Sequence, residues 1–168
     1  QAGTPPTRGA PAPYRVRGAR RRRLTASPRM ASAKDHRHLM MRANRLLGPV
    51  LVERDLISLQ DLERATERLL ELTARGEPRE CTLLGVLAHE LKVVHEADLL
   101  RRCVDADGVG LVDLRAVEVP EELRREFDPG ECWATWTVPF DREGGFTCLA
   151  SAYHLSPAVR AHWEKRAV

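Results

Sequence analysis

The sequence predicts an α+β domain, a tandem helical hairpin repeat followed by a small α/β layer with an antiparallel hairpin. Three observations carry this. Leu46-Leu47-Gly48 and Leu83-Leu84-Gly85 open two stretches that align residue for residue at a constant spacing of 37 positions. Within them Leu47 matches Leu84, Glu53 matches Glu90, Asp61 matches Asp98, Leu62 matches Leu99 and Arg64 matches Arg101. Two copies of one supersecondary unit imply a mutual core or a shared binding surface. The apolar period is helical up to Asp107-Gly108 and extended beyond it, and Gly144-Gly145 separates two β-rich runs as a hairpin turn does.

Each element follows from local signals. From Arg42 to Glu53 the apolar residues Leu46, Leu47, Val50 and Leu51 form a stripe that lies on a core, and the helix is expected to end near Arg54-Asp55. Ser58-Leu59-Gln60-Asp61 is a capping signature, opening a helix to about Thr73 with Leu59, Leu62, Ala65, Leu69 and Leu72 turned inward. Gly76 and Pro78 break it. The second copy repeats the plan through Leu83–Leu91 and His95–Cys103. A strand is expected over Val109–Leu114, a short helix after Pro120, a strand over Cys132–Phe140 and its partner over Phe146–Ala150. The last helix starts at Ser156, with Pro157 in its first turn, and reaches about Arg166.

Charge divides the chain. Of its 27 basic residues, nine fall in the first 34 positions with no acid among them, which leaves 18 against 24 acids in the rest. That opening stretch is rich in proline and poor in large apolar groups, so residues 1–38 are expected to be a disordered basic arm and 39–168 the folded domain. The apolar runs are short and no signal-peptide core follows Arg20–Arg23, so membrane insertion and export are not expected and the location expected is cytoplasmic. Cys81, Cys103, Cys132 and Cys148 form no C-x-x-C pair and read as reduced, buried thiols, with no metal ligand among them.

The residues also carry a resemblance. Leu47-Gly48-Pro49-Val50-Leu51-Val52-Glu53-Arg54-Asp55-Leu56-Ile57-Ser58, then Asp98-Leu99-Leu100, then Gly110 through Pro120, resemble in the same order the N-terminal domain of type II secretion and type IV pilus assembly ATPases, the GspE N-terminal or MshEN-like family. Some members of that family bind cyclic di-GMP through two tandem motifs of arginine, leucine, glycine and a distant glutamine. The resemblance implies Leu47, Gly48, Leu84 and Gly85 as the ligand-binding positions, should that site persist. Here Leu46, Asp55 and Leu69 replace the arginine, second glycine and glutamine of the first motif, and Leu83, Lys92 and Ala106 replace those of the second. A guanidinium pairs with phosphate and stacks on a base, whereas leucine does neither, so cyclic di-GMP binding is not expected. The same positions, more apolar at Leu46 and Leu83, are then the expected partner surface.

No catalytic residue is expected. The chain has no phosphate-binding G-x-x-x-x-G-K-[ST] loop, no metalloprotease helix motif, and no nucleophile with an evident base. The expectation is a non-catalytic interaction or regulatory module without a cofactor, whose partner is a secretion or pilus ATPase or an inner-membrane platform component. Two alternatives are a cyclic di-GMP effector and a weak nucleic-acid binder acting through Arg15, Arg17, Arg20, Arg21, Arg22 and Arg23, whose affinity would depend strongly on salt.

Overall fold

A computed structural model describes residues 32–75 and 82–166, and within them the chain is α+β: seven α-helices and one two-stranded antiparallel sheet. Residues 1–31 of the expected arm, the Gly76 and Pro78 break, and Cys81 lie outside the described residues.

Helix α1 spans Ala33–Glu53 and begins nine residues ahead of the expected start. The reason is a capping box. The Ser32 side chain accepts from the Asp35 amide while the Asp35 carboxylate accepts from the Ser32 amide. Residues 33–38 therefore belong to the helix and not to the arm. His36, one turn in, lies 3.1 Å from Asp128 and covers Gly130, where a Cβ would meet its imidazole at 2.4 Å.

Helix α2 (Leu59–Ala74) starts on the expected Ser58–Asp61 capping box. Leu62, Leu69 and Leu72 are half-buried and Ala65 is fully buried, but Leu59, expected to face inward, is exposed. Gly48 lets the two helices close. A Cβ there would stand 2.4 Å from the nearest methyl of Leu62.

The second copy follows with α3 (Leu83–Gly85), which continues as a π-helical turn over Val86–Glu90, and α4 (Glu96–Asp107). Its boundaries obey the 37-residue spacing. The first helices end at Glu53 and Glu90, the second helices have their N-cap positions at Ser58, which caps with its side chain, and His95, which does not, and Asp61–Arg64 and Asp98–Arg101 are both ion pairs of 3.7 Å. Asp55 and Lys92, at the positions where the resembled family has glycine, share a left-handed φ of 53°. After α1 the turn is a Schellman motif, in which the Leu56 amide donates to the Leu51 carbonyl and the Asp55 amide to that of Val52. In the second copy the π turn adds a residue to the loop, and the Val93 amide reaches back to the Leu87 carbonyl. The glycines are not equivalent. Gly85 packs on no second helix; a Cβ there would meet the hydroxyl of Thr82, which caps α3.

Beyond α4 the expected strand over Val109–Leu114 does not form. Residues 109–113 are irregular and Leu114–Ala116 form a 3-10 turn, since no second strand lies alongside to accept their hydrogen bonds. A short helix, α5, spans Glu121–Glu126. The expected strand from Cys132 is also corrected. Pro129–Thr135 is a helix, α6, whose Asp128 cap accepts from the Gly130 amide and whose Pro129 opens the first turn. It ends at Trp136 with φ 47°, and only then does β1 (Thr137–Glu143) pair with β2 (Phe146–Ser151) across Gly144-Gly145, both at positive φ as a two-residue hairpin turn requires. A bulge at Phe140 follows Pro139, which has no amide for the ladder. Helix α7 (Pro157–Arg166) closes the domain against α1 and α6.

Two buried polar assemblies tie these elements together. Asn44 of α1 accepts at one oxygen from the Leu83 amide (2.9 Å) and the Tyr153 hydroxyl (2.7 Å), while that hydroxyl accepts from the Leu84 amide (3.3 Å). Tyr153 is only 1% exposed, and burial pushes its phenol up to about 12. The second assembly centres on Glu131 of α6, 6% exposed, which pairs with His162 (2.6 Å) and Arg166 of α7. Beside it the Trp163 indole donates to Thr135 (3.0 Å).

Asp55→Gly and Lys92→Gly each relieve a left-handed residue and are expected to raise unfolding free energy by about 0.5–1 kcal/mol in urea titrations. Burial alone raises the Glu131 carboxyl, yet the hydrogen bonds from His162 and Arg166 outweigh it and hold the group below its ordinary 4.5. Its contribution is therefore complete above about pH 4.5 and is lost as pH falls through the lowered folded value. Glu131→Gln is expected to cost about 1–3 kcal/mol at neutral pH and to flatten the acid side of the stability profile, read as the urea midpoint against pH.

Candidate functional site

The chemically richest cluster among the described residues sits where the two copies of the repeat meet the segment after β2. Cys103 and Asp107 are four residues apart on α4 and so share one face. Gly108, at φ 63°, stops the helix directly after Asp107. Arg54, at the C-cap of α1, places one guanidinium nitrogen 2.8 and 2.7 Å from the two Asp107 oxygens. His154 arrives from the segment that Tyr153 anchors, with its Nε2 atom 3.4 Å from Asp107. One atom each of Cys103, Asp107 and His154 lie within 4.8 Å of one another.

The electrostatics are those of a paired acid beside two neutral groups. Arg54 holds the Asp107 carboxyl below its ordinary range. Burial, reinforced by the Asp107 charge, raises the Cys103 thiol. Burial lowers His154 despite the adjacent carboxylate. Burial thus favours the protonated thiol of Cys103.

A cleft of about 40 Å³ opens beside Cys103 and His154, walled by Leu47, Leu51, Leu84 and Leu99. It shows where the structure places the positions that the resemblance implied. Leu47 and Leu84 do meet there, one from each copy. Gly48 and Gly85 do not join them, the first being packed under Leu62 and the second beside Thr82. Leu83 is 2% exposed and so offers no surface to a partner, whereas Leu46, the other leucine of the expected partner surface, is half-buried. The six arginines of the arm lie outside the described residues. No match to the chain is found among family models, curated proteins or solved structures.

Sequence reasoning missed Arg54, Asp107 and His154, and treated Cys103 as a buried hydrophobe. The Cys103/Asp107 spacing was visible, but His154 lies 47 residues beyond Asp107 with no local signature to join them.

A second feature is the segment leading to α5. Leu111, Val112 and Leu114 are 62%, 39% and 37% exposed, and no backbone hydrogen bond among the described residues involves positions 109–112. Glu118, Val119, Pro120, Glu121 and Arg124 border a shallow recess of about 460 Å³ at its far end.

A dinucleotide needs a pocket of several hundred Å³ and cations for its phosphates. The leucine-walled cleft supplies neither, so isothermal titration with cyclic di-GMP at about 100 µM is expected to give no saturable heat. A dissociation constant near one micromolar would overturn this expectation.

Proposed function

We propose that the chain is a non-catalytic protein-interaction module that docks through the segment from Val109 to Val119. The observation carrying this reading is the pair Leu111-Val112, whose apolar side chains are exposed and whose backbone makes no hydrogen bond among the described residues, with Leu114 adding a third exposed apolar side chain. Unpaired backbone is a template on which a partner strand adds hydrogen bonds, while the exposed side chains beside it give that pairing its specificity. The shallow recess near Pro120 adjoins the same run and offers a socket for a partner side chain.

The sequence resemblance supplies the setting, a cytoplasmic component of a type II secretion, type IV pilus or related envelope machine, with the assembly ATPase or the platform protein as partner. No helix among the described residues is long and apolar enough to cross a membrane, which is compatible with that setting. The test is surface plasmon resonance against the purified ATPase and the soluble part of the platform protein. Leu111→Asp combined with Val112→Asp is expected to weaken binding at least tenfold while leaving the thermal midpoint within about 2 °C of the parent, because both side chains already face solvent. Unchanged affinity in that variant would sink the reading.

A further inference from the structure

We propose that Cys103, Asp107 and His154 bind one zinc-class divalent ion at the junction of the two repeat copies, with its remaining coordination position turned toward the leucine-walled cleft. A sulfur, a carboxylate oxygen and an imidazole nitrogen from two separate parts of the chain lie within 4.8 Å of one another. The ligands of a tetrahedral zinc ion, at bond lengths of about 2.0–2.3 Å, stand roughly 3.3–3.8 Å apart. The His154–Asp107 separation of 3.4 Å already meets this, and the sulfur, within 4.8 Å of both, closes the set by moving at most about 1 Å. Thiolate and imidazole together select zinc over magnesium or calcium, which prefer all-oxygen shells.

The surroundings are those of a cation site. Cys103 and Asp107 occupy the last turn of α4, the negative end of a twelve-residue helix, and that turn carries no basic residue of its own. Arg54 comes from a different helix and donates to both Asp107 oxygens, as an outer partner that orients a ligating carboxylate does. The cleft beside Cys103 and His154 has a volume of about 40 Å³. One water occupies roughly 30 Å³ in the liquid, so the space accommodates an exchangeable ligand on the ion and little more. Three protein ligands and one open position is the arrangement of an ion that also binds something else, here water or a donor atom from a docked partner. Loading breaks the Cys103 sulfur–hydrogen bond and forms a zinc–sulfur bond; the proton leaves to solvent, and nothing is oxidised or reduced.

The experiment uses the full chain, stripped with chelator and titrated with cobalt(II) chloride and then zinc chloride. One cobalt per chain is expected, with a thiolate-to-cobalt charge-transfer band in the near ultraviolet that zinc abolishes, and release of about one proton per ion at a pH where the thiol is protonated. Cys103→Ser is expected to lose the band, and His154→Ala to weaken binding at least tenfold. Cys81→Ser, Cys132→Ser and Cys148→Ser are expected to keep both. Cys103 is in the core, so its variant is checked by circular dichroism; should it fail to fold, the partly exposed His154→Ala decides. Absence of the band in the parent, a band that survives Cys103→Ser, or unchanged affinity in folded His154→Ala each overturns the site.

Discussion

The bond on which the rest of the structure depends is the one between Asn44 and Tyr153, 109 residues apart in the chain. A helix begins with amides that have no intrahelical partner, and at α3 these amides are buried at Leu83 and half-buried at Leu84 and Gly85. Three groups share the task. Asn44 accepts from Leu83, the Tyr153 hydroxyl from Leu84 and the Thr82 hydroxyl from Gly85. Each buried amide left without a partner costs about 1–3 kcal/mol, a large fraction of a domain's net stability. The start of the second repeat copy is thus fixed by the first copy and by a residue beyond the hairpin. Trp136 stacks on Tyr153 at 4.3 Å between ring centres, so the same anchor sets where the hairpin enters and leaves the core.

This anchor explains why two matching sequence copies play different parts. Both end their first helix at the same repeat position, turn through a left-handed residue and restart at the same N-cap position. The first copy, however, sits at the end of a 21-residue helix whose Gly48 admits α2 at close range. The second has only a short helix, begun by borrowed caps and ended by a π turn. Local geometry repeats because the same short-range signals recur, whereas packing does not, because each copy meets different neighbours.

The anchor also assembles the candidate sites. Holding Tyr153 holds His154, and the turn after α1 delivers Arg54 to the end of α4, so two distant stretches converge on Asp107. Past Asp107 the chain has no partner strand; Val109 still packs against the core, but Leu111, Val112 and Leu114 stay exposed. A core-anchored polar cluster and an unpartnered apolar run therefore flank the same helix end.

The sequence by itself determined the features governed by neighbours within a few residues. The Ser58 and Ser32 capping boxes, the left-handed turns, the Gly144-Gly145 hairpin and the proline-started α7 all follow from short-range hydrogen bonding and backbone sterics. The Ser32–Asp35 signature was present too, and the charge of the preceding arm masked it. What only the tertiary structure decided was everything needing a distant partner. Val109–Leu114 has the composition of a strand and forms none, because β structure requires a second chain segment to complete its hydrogen bonds. Leu83 has the composition of a surface contact and is buried, because Asn44 claims its amide. Asp107 and His154 meet only because Tyr153 is anchored in the core, a contact across the fold that no spacing in the sequence encodes.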